Sequence, residues 1–249
     1  MVSKSSIKFV QSLKLKKYRQ KYNLFVVEGE KSVRSLLSQD VSSLHQLYAI
    51  STWLDSIDTR VNPRLVQSCT KEELKKLSLL TNPTDVLAVW KMPEFDPNGL
   101  QKAKKVIYLD DVQDPGNMGS VIRIADWYGV DYVVRSVDSA DFFNPKVVQA
   151  TMGSISHVGL LTIAKEAFGA AFFDFHKIGA DLNGSTSIEA TAERLCLVIG
   201  NEGHGIAPSI LTALDERIQI AGAPNRTAES LNAAVASGIL SHMIFGESL

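Results

Sequence analysis

From Lys105 onward, short apolar runs alternate with stretches of helical spacing. The runs Val106–Leu109, Tyr132–Arg135, His157–Ile163, Phe172–Phe175, Leu195–Ile199 and Arg217–Ile220 are predicted strands. Between the first two, apolar residues fall at helical intervals, as at Val121, Ile122, Ala125 and Tyr128. Strands that alternate with helices predict a parallel sheet covered on both faces. The first ninety or so residues alternate on a smaller scale. Strands are expected at Phe25–Val27, Gln46–Ile50, Arg64–Gln67 and Val86–Trp90, with helices at Glu30–Leu37 and Lys71–Leu79 after a helix-like start. Composition changes at Lys91–Lys104, KMPEFDPNGLQKAK, where two prolines and a glycine sit among polar residues. The expected class is therefore α/β, with a small domain over 1–91, a linker over 92–104 and a larger parallel-sheet domain over 105–249.

Composition narrows the function classes. The chain has 249 residues, 45% of them hydrophobic, and a formal net charge of −1, so a sizeable core is expected without a basic character overall. The charge is unevenly placed. Met1 to Tyr22 holds seven basic residues and no acidic one, a footprint that suits phosphate as well as a solvated helix face. Cys69 and Cys196 are far apart and in no CxxC pair, which points away from disulfide or zinc frameworks and toward a reducing cytoplasm. His157, His176, His204 and His242 are scattered, so no metal is expected. No signal peptide is expected, and the uncharged stretches Val147–Ala164 and Ser230–Gly246 are too polar to span a bilayer.

Three segments carry candidate chemistry. In DPGNMGSVIRIADWY (Asp114–Tyr128) a strand, a Gly-containing loop and a helix place Asn117 at the helix entrance and Arg123 farther along the helix. Free N–H groups at a helix start attract anions, and a guanidinium fork fits phosphate. Alone, this segment reads equally as an ordinary strand-to-helix connection. In LCLVIGNEGHG (Leu195–Gly205) an apolar strand ends in a loop of glycines around one carboxylate, Glu202. In the third segment, Arg217–Ile220 leads through a loop to Ser230-Leu231-Asn232 and a final helix, with Ser230 or Glu229 near its cap. Polar groups at three strand ends point to one site at the carboxyl edge of the sheet. The first loop is GNMG rather than GxGxxG, and no GxxxxGK[ST] occurs, which disfavours dinucleotide and P-loop sites.

These segments, in order, resemble the motifs of the SpoU/TrmH family of RNA ribose 2'-O-methyltransferases, within the SPOUT superfamily. The matching residues are Asn117-Met118-Gly119-Ser120-Val121-Ile122-Arg123, Ile199-Gly200-Asn201-Glu202-Gly203 and Ser230-Leu231-Asn232-Ala233-Ala234-Val235-Ala236. Lys16-Lys17-Tyr18-Arg19 and Phe25-Val26-Val27-Glu28-Gly29 resemble the family's accessory RNA-binding domain. The resemblance implies a ribosomal-protein-like amino-terminal domain and a carboxy-terminal SPOUT domain closed by a trefoil knot. It also implies S-adenosylmethionine as cofactor, RNA as substrate, and a homodimer. By this resemblance Gly200, Asn201, Gly203, Ile220 and Leu231 form the cofactor pocket. Asn117, Arg123, Glu202, Ser230 and Asn232 form the catalytic set, and Lys16, Lys17, Arg19 and Arg123 contact RNA.

Several roles stay open at this level. Arg123 is assigned first to phosphate clamping and hydroxyl orientation, because a guanidinium remains protonated near neutral pH. Glu202 serves either an arginine or a backbone amide, or it stabilises its own loop. Ser230 binds phosphate or caps the last helix, and His204 is a possible substrate contact. Members of the family often carry Ile-Pro-Met where this chain has Ile220-Ala221-Gly222, and the loop after it is about two residues longer here. Ribosomal RNA is favoured over transfer RNA as substrate. The competing class is an RNA-binding assembly factor that keeps the fold without turnover.

Overall fold

The computed structural model describes residues 1–57, 60–94, 99–188 and 192–246. In chain order the elements are α1 (Lys4–Ser12), α2 (Lys16–Tyr22), β1 (Leu24–Glu28), α3 (Glu30–Gln39), β2 (Leu44–Ala49), α4 (Ser51–Leu54), β3 (Val66–Ser68), α5 (Lys71–Leu77) and β4 (Val86–Lys91). They continue with α6 (Gly99–Lys102), β5 (Lys105–Leu109), α7 (Pro115–Trp127), β6 (Tyr132–Arg135), α8 (Pro145–Thr151), β7 (Gly159–Thr162) and α9 (Phe168–Ala171). The last are β8 (His176–Ser185), β9 (Leu195–Ile199), α10 (Pro208–Leu211), β10 (Glu216–Ile218) and α11 (Ala233–Phe245). Part of the expected linker, residues 95–98, lies outside the described residues.

Packing divides the chain into two compact units. The first comprises Met1–Glu94 together with Asp141–His157. Its sheet has the order β1-β4-β2-β3, with β4 antiparallel to β1 and β2, and β3 parallel to β2. Val10, Leu13, Val26, Leu74, Leu77 and Val89 are among the buried residues of its core. Thr70 and Glu73 form a reciprocal capping box at the start of α5, satisfying two otherwise orphan donors. The segment from Asp141 joins this unit through α8 against β1, with Phe143 tilted on Phe25 at 4.8 Å between ring centroids. Buried Arg19, 2% exposed, donates to the carbonyls of Leu13 (2.9 Å) and Lys14 (2.8 Å) and to Asp141 (2.5 Å).

The second unit holds the six-stranded sheet, in the order β10-β8-β9-β5-β6-β7, and every pairing in it is parallel. Central strands β5 and β9 are buried along almost their whole length, as a sheet covered on both faces requires. Five of the six expected strands fall where the pattern placed them, within a few residues. The exception is Phe172–Phe175, which is not a strand; β8 begins immediately after it, at His176. Phe168, Phe172 and Phe175 recur at three- and four-residue intervals, a helical rather than an alternating spacing. All three are buried, and Phe168 and Phe172 pack edge-on to Tyr108 at 4.8 and 5.8 Å.

Candidate active site

Parallel pairing brings the strand ends together. Leu109 of β5 sits opposite Ile199 of β9, so the loops that follow both strands leave from one edge of the sheet. After β9 the chain makes a tight loop in which Asn201 and Gly205 exchange backbone hydrogen bonds of 3.0 and 2.9 Å. Gly200 is obligatory for this closure, because a Cβ there would lie 2.3 Å from the Gly205 carbonyl carbon. Gly205 itself has φ +69°, in the left-handed region. The Asn201 side chain holds the loop from inside. Its Oδ1 accepts from the amides of Gly203 (2.8 Å) and His204 (3.2 Å), and its Nδ2 donates to the Asp111 carbonyl (2.8 Å).

A hydrogen-bonded chain links the three motifs. Asp114 caps α7 by accepting from the Asn117 amide at 2.8 Å, with Pro115 in the first helical turn. This leaves the Asn117 side chain facing the β9 loop, where Nδ2 donates to Glu202 at 2.5 Å. An ionised carboxylate accepts only, so Glu202 fixes which way the Asn117 amide points. Asn117 Oδ1 then needs a donor, and Asn232 Nδ2 supplies it at 2.9 Å. Asn232 Oδ1 is thereby left to cap α11, accepting from Ala234 (3.0 Å) and Val235 (3.3 Å). The cap is Asn232 and not Ser230 or Glu229, because α11 starts at Ala233, later than the sequence pattern placed it.

Beside this chain lies a cavity of about 690 Å³, a size common for small-molecule sites. Gly200, Asn201, Gly203, Ile220 and Leu231 all line it, as do Glu202, Ser230 and His204. Asn117, Arg123 and Asn232 are not among its lining residues; Asn117 and Asn232 reach it through Glu202. Arg123 stands exposed on α7. Lys16 and Lys17 are exposed on α2, but the buried Arg19 cannot meet a surface phosphate, which corrects the expectation for that residue. A charge run gives no sign of which member turns inward.

One group of residues escaped the sequence reading. Lys165, between β7 and α9, lies 3.4 Å from Asp110 and also pairs with Asp111, both at the carboxyl end of β5. The hydrogen bond to Asp111 and the two neighbouring carboxylates push the Lys165 ammonium pKa upward. Asp110 is 1% exposed and accepts from the Ala207 amide at 2.6 Å. Asp111 adopts φ +56° and presents its carbonyl to Asn201. These residues therefore grip both ends of the β9 loop. The only signal was the acidic pair after an apolar strand, and its lysine partner is more than fifty residues away.

Among the described residues, no cluster of His, Cys, Asp or Glu could hold a metal, and no helix is long and apolar enough to cross a membrane.

Residues 104–242 match the sequence model of the SpoU rRNA Methylase family, and residues 4–88 match the MRM3-like substrate binding domain. The chain is 31% identical to the 23S rRNA (guanosine(2553)-2'-O)-methyltransferase RlmP of Bacillus subtilis (strain 168), over 96% of each chain. Its structure is similar to that of a TrmH-family protein from Porphyromonas gingivalis, with a TM-score of 0.85, 33% identity and 96% of each chain covered. The AdoMet-bound rRNA methyltransferase from Sinorhizobium meliloti shares the fold at a TM-score of 0.85 and 24% identity, covering 98% of this chain and 95% of that one. With a family match over more than half its length and motifs joined at one sheet edge, the chain belongs to the SpoU rRNA methylase family.

Proposed function

We propose that this protein transfers a methyl group from S-adenosylmethionine to a ribose 2'-hydroxyl of ribosomal RNA. The observation that carries the reading is the Glu202–Asn117–Asn232 chain, which ties the three motifs together beside the cavity.

The cavity suits the cofactor. Ile199, Ile220, Leu231 and Leu240 provide apolar wall for an adenine, and the loop backbone at Gly200–Gly205 provides main-chain donors and acceptors. Asp181, Glu202, Glu229, Arg217 and Arg226 border it, which fits a ligand carrying both signs of charge. When bound, the cofactor supplies an electrophilic methyl group. The remaining work is to hold the ribose oxygen in line with that carbon and to release the hydroxyl proton, which the protonated Arg123 guanidinium does not accept. Arg123 is free of ion pairs among the described residues and is assigned to the phosphate next to the reacting ribose, where it also orients the hydroxyl. Asn117, Glu202 and Asn232 keep the first turn of α7, the β9 loop and the start of α11 in one arrangement. Ser230, exposed and uninvolved in the cap, is assigned to the substrate side.

The same reading includes RNA capture by the exposed Lys16 and Lys17, a homodimer, and the knotted chain path of the family. Packing of α11 against α7 and beside β9 is consistent with that path. The dimer is supported by Val235, Ile239 and Met243, which are spaced four apart on α11 and are 51%, 37% and 42% exposed.

Incubating the protein with methyl-labelled S-adenosylmethionine and RNA from cells lacking it should label a ribose 2'-oxygen in ribosomal RNA. Label in transfer RNA alone would move the substrate. Intact cofactor binding with no label on any RNA would favour the assembly-factor reading.

A further inference from the structure

Three elements of the first unit bring four rings together on its surface. Phe9 of α1 meets Tyr22 of α2 edge-on, at 5.3 Å and 63°. Tyr22 is stacked with Tyr18 one turn earlier, at 6.2 Å and 11°. On the other side Phe9 meets His45 of β2, at 6.0 Å and 48°. His45 sits where the β2–β4 register shifts, between Leu44 and Gln46. A bulge of this kind re-aims a side chain, and here it puts an imidazole against the ring row. Tyr22 is 40% exposed and His45 is also exposed, while Tyr18 is half-buried and Phe9 is half-buried against the core, so the row is anchored at Phe9 and opens to solvent at Tyr22 and His45.

Cations flank these rings. Lys17 lies over Tyr18, with Nζ 4.9 Å from the centroid, and Lys21 lies over Tyr22 at 5.4 Å. Partial burial, with the charge of Lys91 on β4 beside it, shifts the imidazole pKa of His45 down, toward the neutral ring. The α1 and α2 segment has no carboxylate at all.

Lysines alone would serve any polyanion, and a duplex hides the faces of its bases. Exposed rings beside lysines suit bases that are already unstacked, because each base has a π-face and a phosphate close by. We propose that Phe9, Tyr18, Tyr22 and His45, with Lys17, Lys21 and Lys91, hold an unpaired stretch of the substrate RNA by base stacking. This rests on the reading of the chain as an RNA enzyme and adds the part of the RNA that is gripped.

The test compares two RNAs of equal length, a hairpin with a single-stranded loop and a blunt duplex, by fluorescence anisotropy at one salt concentration with the full chain. Tyr22→Ala should weaken hairpin binding about tenfold and change duplex binding less than about twofold, since stacking acts only on splayed bases. Tyr22→Phe should bind the hairpin as wild type does. Lys17→Ala with Lys21→Ala should weaken both RNAs and lower the salt dependence by about one unit per lysine. His45→Ala provides a second variant on a different element, should Tyr22→Ala lose its fold by circular dichroism. Its expected effect is a smaller loss, again confined to the hairpin. Folded variants that bind the hairpin like wild type, or lose both RNAs equally, would overturn the proposal. Wild type that binds neither RNA would instead overturn the RNA reading itself.

Discussion

At the scale of single residues, Glu202 is the pivot, because its acceptor oxygen decides the orientation of two asparagines. Glu202→Ala removes the acceptor and frees Asn117 to rotate, whereas Glu202→Gln can still offer an oxygen to Asn117 Nδ2. A hydrogen bond to a charged group contributes about 1.5–3 kcal/mol, so kcat should fall at least roughly tenfold in Glu202→Ala and less in Glu202→Gln. Steady-state kinetics on both variants checks this, and equal losses would mean that charge, not orientation, matters. Glu28 gives a prediction about pH. It is 5% exposed at the end of β1 and accepts from Ser78 (2.5 Å) and Leu79 (2.8 Å). Burial outweighs these bonds and raises its pKa above the ordinary 4.5. A folded pKa above the unfolded one favours the folded state below the unfolded value, and that contribution is lost as pH rises through the folded value. Glu28→Gln should therefore match or exceed wild type in Tm near pH 7. The difference should shrink as pH falls toward about 4.5, measured by thermal melts across that window. That Gly200 and Asn201 would sit at a strand end beside a cavity was legible from their types and order. Their pairings were not. Asn117 and Glu202 are 85 positions apart and Asn117 and Asn232 are 115 apart, and no local pattern encodes contacts of that range.

Elements position these residues by where they end. β5 and β9 could be read because a buried parallel strand is a continuous apolar run, and their ends were marked by Asp110-Asp111 and by Gly200. The start of α11 was misplaced because Ser230 is as good a cap as Asn232 by type, and only tertiary bonds to Asn117 select the later residue. Phe172–Phe175 was misread because a short aromatic run suits a strand and a buried helical turn equally. Lys165 is the clearest case of one element serving another. It neutralises Asp110, whose carboxylate accepts from the Ala207 amide, and Asp111, whose backbone carbonyl accepts from Asn201. Lys165→Met should weaken S-adenosylmethionine binding by about tenfold, through loss of charge-assisted bonds, while RNA binding stays intact. Lys165→Arg should restore most of the affinity. Calorimetric titration of cofactor into each variant decides; unchanged affinity in Lys165→Met would leave the lysine with no part in shaping the pocket.

The molecule as a whole combines a four-stranded mixed sheet and a six-stranded parallel sheet. The α/β class was legible because strands and helices alternate along the whole chain, on a smaller scale before residue 100 than after it. The membership of Asp141–His157 in the first unit was not, since these residues carry an ordinary helical pattern and only their packing partners assign them. On the second unit, the exposed stripe of α11 makes a prediction about assembly. Ile239→Glu puts a charge into an apolar contact and should convert a dimer to a monomer in sedimentation velocity, because a buried unpaired charge is strongly unfavourable. A wild-type monomer at the same concentration would refute the assigned interface. The proposed function places methyl transfer to RNA at the sheet-edge site, with Arg123 positioning the reacting ribose. The most direct test is single-turnover transfer of labelled methyl to ribosomal RNA by wild type and Arg123→Ala, with cofactor affinity measured alongside. Label is expected on a ribose 2'-oxygen with wild type, with a loss of at least about a hundredfold in Arg123→Ala, as for a group acting on the reacting atoms, and equal cofactor affinity in both. Transfer at the wild-type rate by Arg123→Ala, or none by either protein with cofactor bound, would contradict it.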